Sequence, residues 1–159
     1  TNSNPSMDLP DSVDIVHALP KEFFATPNRW EELFTIIVEG RELKAHKEIL
    51  KSRVPFFHGL LSSNMAEVST GKTHLRELDA TTTESLLDYI YTGTLTITES
   101  NAQILLMGSA FLQMEAVRNE CVQFMSRRIR IDNAIDMLRI SSHIADDKLE
   151  KTVLRFIDV

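Results

Sequence analysis

One cysteine, Cys121, occurs in the 159 residues of this chain, so no internal disulfide can close. Its spacing with Val117, Phe124 and Met125 is that of a helix face turned to a core, and a buried, inert thiol is the expectation. Such cysteine usage fits a reducing, intracellular setting, cytoplasmic and/or nuclear. Long apolar runs are missing too: none approaches the roughly 18 residues that a membrane-spanning helix requires. The N-terminal residues are polar and lack the continuous apolar stretch of a signal peptide. Basic residues are in the minority, 17 against 23 acidic for a net charge of -6. They form no stripe that would neutralise phosphates, which argues against direct binding of nucleic acid. The five glycines are isolated, so there is no phosphate-cradling loop and no dinucleotide fingerprint, nor is there a nucleophile elbow. Gly40, Gly71 and Gly93 each suit a turn or a helix end. His46, His58 and His74 are scattered, with no cysteine beside them, so no metal set is expected. His17 and His143 read as ordinary helical residues, and Asp146-Asp147 reads as a helix N-terminus rather than an acid/base pair. The expectation is therefore a chain without cofactor or catalytic group, and not an enzyme.

What is present is ordinary globular material, 43% apolar and 25% charged, long enough to bury a core without staples. Residues 1–10, rich in Asn, Ser and Pro, read as a flexible tail. From Asp11 to Ala25 the apolar set Val13, Ile15, Val16, Leu19, Phe23 and Phe24 has helical spacing, interrupted by Pro20. Then Ile36-Ile37-Val38, a turn at Glu39-Gly40 and Arg41–Ala45 predict a β-hairpin. Two short helices follow, one with Ile49 and Leu50, the next after Pro55 with Phe56, Phe57, Leu60 and Leu61. Ser62–Lys72 is a polar loop, and His74–Leu78 reads as a short strand. Thr81 or Thr82 is placed to cap a helix whose stripe is Leu86, Leu87, Ile90 and Tyr91 and which Gly93 stops. Thr94–Thr98 is a brief β-branched strand. Beyond Asn101 the pattern is helical throughout: Ile104, Leu105, Gly108, Phe111 and Leu112; then Met114, Val117, Cys121, Phe124 and Met125; then, after a cap at Asp132, Ala134, Ile135 and Leu138; and last, after a cap at Asp146 or Asp147, Leu149, Val153, Leu154, Phe156 and Ile157.

Four stretches of this order resemble the BTB/POZ domain of kelch-like, cullin-3-binding adaptors. Ala45-His46-Lys47 is similar to the family's step after its second strand, and Phe57 stands at the family's nearly constant Phe. Tyr89-Ile90-Tyr91-Thr92-Gly93 matches the phrase that ends the next helix, and Asn101 to Cys121 resembles the closing helical hairpin. The resemblance covers roughly Leu33 to Arg128, and Asn133–Val159 resembles the helix pair that opens the region called BACK. It implies an α+β fold, a small mixed sheet surrounded by helices and followed by a C-terminal helix pair. On that reading residues 11–129 are the domain with an N-terminal dimerisation segment, and residues 130–159 a helical extension, the start of a longer BACK-type region.

Function is implied along with the fold. In cullin-3 adaptors of this family an apolar residue, any residue and a Glu follow the Phe57 helix, and Met65-Ala66-Glu67 has that form. Met65 would enter a pocket on the N-terminal domain of cullin-3 and Glu67 would accept hydrogen bonds. Tyr91 is a further cullin-facing candidate, with a core ring and wet hydroxyl as the plain alternative. Val16, Leu19, Phe23 and Phe24, with Leu33, would lie at a homodimer interface, since an apolar patch of that size asks for cover. Capping within one chain is the competing account. The substrate protein of the ubiquitin ligase would be held by a C-terminal module outside this chain. Where the family's transcriptional repressors carry an Asp before the first hairpin strand, paired with the basic residue at Lys47, this sequence has Leu33 or Phe34, and Val54 replaces a Ser. Both departures weigh against the alternative, a transcriptional regulator whose dimer groove binds a corepressor.

Overall fold

A computed structural model describes residues 9–19, 33–62 and 70–157, which hold five strands and seven helices. In chain order these are β1 (Ser12–Val16), β2 (Leu33–Val38), β3 (Arg41–His46), α1 (Lys47–Arg53), α2 (Pro55–Leu61), β4 (Lys72–His74), α3 (Ala80–Thr92), β5 (Thr94–Thr98), α4 (Ala102–Phe111), α5 (Glu115–Ser126), α6 (Ala134–His143) and α7 (Asp147–Ile157). The class is α+β, with a small mixed sheet and a C-terminal helix pair, as the resemblance implied. The described residues divide into a sheet unit, Ile15–Leu95 with Phe111–Met114, and a helical unit, which takes the rest.

In the sheet unit, β2 alternates strictly and buries Phe34, Ile36 and Val38 on one face. The expected hairpin forms, with β3 antiparallel to β2 in the register Phe34↔Ala45 to Val38↔Arg41. Glu39 and Gly40 turn it with φ of 51° and 76°. Two successive positive φ values are the signature of a type I′ turn, whose twist matches that of the flanking strands. Glu39 adopts a conformation unusual for a residue with a side chain, and its Oε1 accepts the Ala80 N–H at 2.6 Å. The turn is thereby tied to the start of α3. β4 lies parallel to β2 on the other side, in the order β3-β2-β4, and α1 and α2 fall within the crossover. Pro55 opens α2, where its missing N–H costs nothing. Phe57, 1% exposed, sets its ring edge-on to Phe34 and Phe56.

Four expectations change in this unit, one of them the stripe of α3, which buries Leu86, Tyr89 and Ile90 while Leu87 and Tyr91 are half-buried. The segment after Asp11 forms strand β1, and His17–Leu19 are not helical. Val13, Ile15 and Val16 are β-branched and β5 offers them an edge, so pairing overrides a periodicity that a short run cannot fix. The strand expected at His74–Leu78 begins two residues earlier and ends at His74; Leu75 and Leu78 are buried outside any strand. Finally, Asp79 caps α3, taking the Thr82 N–H at 2.9 Å, rather than Thr81 or Thr82. Burial raises the Asp79 pKa, but the hydrogen bonds from Thr82 outweigh it and hold the carboxyl below its usual range.

The helical unit is built on Leu105, Leu106, Val117, Cys121, Phe124, Met125, Met137, Leu149 and Val153, all buried. Asp146 caps α7 by accepting the Leu149 N–H at 2.9 Å, and Arg118 of α5 meets its other oxygen at 3.2 Å. Asp132 does not cap α6. Its carboxylate pairs with Arg130 Nε at 3.1 Å instead, and Asn133 stands at the cap position with its Oδ1 on the Arg130 N–H. Cys121 is fully buried, and burial, with Glu120 adding to it, pushes its thiol up to about 12, so it is protonated at neutral pH.

Candidate protein-interaction surface

The end of α3 carries two tyrosines with different fates. Tyr89 is buried and its hydroxyl bonds His17 Nδ1. Tyr91 is half-buried; its hydroxyl accepts the His46 backbone N–H at 2.8 Å and lies 2.7 Å from His46 Nδ1. Burial raises the Tyr91 pKa, against a smaller opposing effect of the His46 N–H, so the phenol is neutral at physiological pH. The hydroxyl therefore has a protein partner in His46, the residue that links β3 to α1.

Of the residues assigned to a dimer contact, Val16 is 73% and Leu33 51% exposed, while Leu19 is half-buried. Both exposed side chains belong to the sheet unit. Phe23 and Phe24 lie outside the described residues, as do Met65 and Glu67. His17 is not helical, because the residues after β1 run alongside the end of α3, where the His17 N–H donates to the Gly93 carbonyl at 2.7 Å.

Sequence reasoning missed apolar side chains in the helical unit. Ile131 is 90% exposed, and Ile135, four residues on and inside α6, is also exposed. Ile135 was expected inside with Ala134 and Leu138; α6 buries Ala134 as expected, with Met137 and Ser141 in place of the other two. The signal was available, since positions 134, 137 and 141 share a face and a small Ser on it permits close packing. Ile104, expected on the buried face of α4, is likewise exposed with Met107.

Arg128 is a second omission. It is 5% exposed, lies 3.6 Å over the Phe124 ring, and donates to the carbonyls of Phe124 at 3.0 Å and Pro10 at 2.8 Å. Burial lowers its pKa. Nearby charges act on it too: Glu99 and Asp11 raise it, and Arg127 lowers it. A cleft of about 90 Å³ opens beside it. Arg130 there bonds Glu99 at 2.9 Å, and Asn133 donates to the Arg128 carbonyl at 2.9 Å. These polar groups satisfy one another, which marks a structural network. Among the described residues, no group of three or more His, Cys, Asp or Glu is placed to hold a metal, and no helix is long and apolar enough to cross a membrane.

Comparison with known proteins decides the family. The family model of the BTB/POZ domain matches residues 34–129. The chain belongs to the BTB/POZ family. Domains of this family are in general protein-interaction modules rather than enzymes. This BTB/POZ chain is 30% identical over 118 residues to Kelch-like protein 2 of Homo sapiens, a match that covers 74% of the chain and 20% of that protein. It is 29% identical over 131 residues to Kelch repeat and BTB domain-containing protein 2 of Homo sapiens, covering 80% of the chain and 21% of the relative. The chain thus spans about a fifth of the length of the curated relatives it matches. Among solved structures, the BTB domain of human Gigaxonin aligns with a TM-score of 0.54 at 22% identity, covering 65% of this chain and 85% of that one. The BTB domain of zebrafish PATZ1 aligns at 0.53 and 18%, covering 59% and 75%. At such identities these structures bear on the fold alone.

Proposed function

We propose that this BTB/POZ chain is a homodimerising adaptor that recruits the N-terminal domain of cullin-3 into a ubiquitin ligase, with the substrate protein selected by a module outside residues 1–159. Residues 11–129 act as the recruiting domain and residues 130–159 as its helical extension. The observation that carries the reading is Met65-Ala66-Glu67, which falls in sequence between the end of α2 at Leu61 and β4 at Lys72 in a chain similar to kelch-like proteins. Burying a Met side chain in a partner contributes roughly 1.5–3 kcal/mol, and a charge-assisted hydrogen bond to Glu67 about 1.5–3 more. Two such groups inside a polar rim suffice for a hot spot. Tyr91 adds its ring, and Val16, Leu19, Phe23, Phe24 and Leu33 supply the dimer contact. Two copies joined this way place two ligase arms near one substrate and raise the effective concentration.

Calorimetry of the chain against the cullin-3 N-terminal domain tests this. Met65→Ala and Glu67→Ala are each expected to weaken binding at least about tenfold, in line with about 1.4 kcal/mol per decade. An unmodified chain that gives no binding signal excludes the adaptor reading.

A further inference from the structure

Three described glycines have positive φ: Gly40 at 76°, Gly71 at 73° and Gly93 at 75°. At Gly40 and Gly71 an added Cβ would meet nothing within 4 Å, so backbone conformation alone accounts for the residue. Gly93 differs. A Cβ there would collide with the His17 carbonyl oxygen and come within 3.6 Å of Leu19 Cδ2. The same two backbones are joined by the 2.7 Å bond from the His17 N–H to the Gly93 carbonyl, and the Gly93 N–H in turn donates to the Tyr89 carbonyl at 2.7 Å. The Tyr89 hydroxyl then holds the His17 ring. His17 is thus gripped by both backbone and side chain at the end of α3, at a point where no side chain has room.

We propose that Gly93 and Tyr89 form a seat that fixes the path of Ile15–Leu19, making Gly93 a positioning residue as well as a helix end. Within β1 only Ile15 is buried, so apolar packing gives the strand a single anchor, and its pairing with β5 and the seat supply the rest. The seat sets where Val16 and Leu19 are presented, and this last step rests on the proposed dimer contact.

Asparagine separates the two demands on Gly93, because it tolerates positive φ but carries a Cβ. Hydrogen exchange read by mass spectrometry on the whole chain would compare Gly93→Asn, Gly40→Asn and Tyr89→Phe. For Gly93→Asn, peptides covering residues 9–19 are expected to exchange at least about tenfold faster, as for a lost and unsatisfied backbone bond, while α3 stays within about twofold of the parent. Gly40→Asn is expected to change neither. Tyr89→Phe keeps the ring and the backbone, so it is expected to loosen residues 9–19 by a smaller factor of about two to five. Unchanged exchange of residues 9–19 in a folded Gly93→Asn or Tyr89→Phe chain overturns the seat, as does equal loosening of α3. Sedimentation on the same samples reads the dimer separately. If residues 9–19 loosen and the dimer weakens with them, seat and presentation both stand. If they loosen and the dimer holds, the seat stands and the dimer role of Val16 and Leu19 falls.

Discussion

The sheet unit and the helical unit use their apolar residues differently. Of the nine large hydrophobic side chains that the described residues leave exposed, seven (Ile104, Met107, Ile131, Ile135, Leu154, Phe156 and Ile157) belong to the helical unit and two (Val16 and Leu33) to the sheet unit. The sheet unit buries its apolar set behind strict alternation and then fixes its geometry with polar contacts. Glu39 and Asp79 meet the start of α3, Arg41 pairs with Glu84, and His17 and His46 meet the two tyrosines at its end. In the helical unit the stripes run wider than the packing they make. On α7, Leu149 and Val153 are buried, while the last turn turns Leu154, Phe156 and Ile157 outward. A module that works through contacts can thus divide labour, one part rigidly specified and one part presenting apolar surface.

The largest effect that would break this comparison concerns two phenylalanines. Phe57→Ala in the sheet unit removes a ring that is 1% exposed and packed edge-on against Phe34 and Phe56, and is expected to cost about 3–5 kcal/mol. Phe156→Ala in the helical unit truncates a ring that is 39% exposed, and about 1 kcal/mol or less is expected. Urea unfolding followed by circular dichroism gives both numbers. Equal losses would mean that the outward ring of α7 has structural cover and that the contrast fails.

Much of this division was legible in the sequence. The hairpin, its Glu39-Gly40 turn, Pro55 and the helix stop at Gly93 are local signals in which turn chemistry leaves few alternatives; caps were less legible, since Asp146 was one of two candidates for α7 and the residues expected to cap α3 and α6 gave way to Asp79 and Asn133. So the order of elements that carries the family resemblance could be read directly. Long-range pairing was harder. β1 reads as a helix until β5, some 80 positions away, is known to be its partner, and the crowding at Gly93 follows from the same pairing. Ile104 and Ile135 were misplaced because a helix rich in apolar residues offers several faces, and only its neighbours choose among them. Tyr91 was placed on the right helix but on its buried stripe, where Tyr89 lies instead, and its hydroxyl's partner, His46, comes from a strand that sequence spacing does not connect to it.

The cap on α3 gives a smaller effect with a pH signature. Asp79→Ala is expected to cost about 1 kcal/mol at neutral pH, the usual worth of an N-cap. Because the folded carboxyl titrates below its usual range, its contribution is fully present above the unfolded value of about 3.9 and is lost as pH falls through the folded value. The stability gap between parent and variant should therefore close on acidification. A gap that stays constant from neutral pH to well below 4 would assign the loss to packing and remove the cap from the polar framework of the sheet unit.

Ile131 sharpens the contrast from the other side, with the smallest change in stability. At 90% exposure its side chain makes almost none of the contacts that stabilise a fold, and Ile135 beside it is 54% exposed. Ile131→Lys is expected to shift stability by no more than about 0.5 kcal/mol, as for ordinary surface positions. Its consequence should lie outside the molecule: less binding of a hydrophobic dye and less self-association at high concentration, since one contributor to the exposed apolar surface becomes a cation. A clear loss of stability would show that Ile131 is covered within the chain. Unchanged dye binding would move the exposed apolar surface of the helical unit to α4 and the last turn of α7, where Ile104, Met107, Leu154 and Phe156 would be the next side chains to replace.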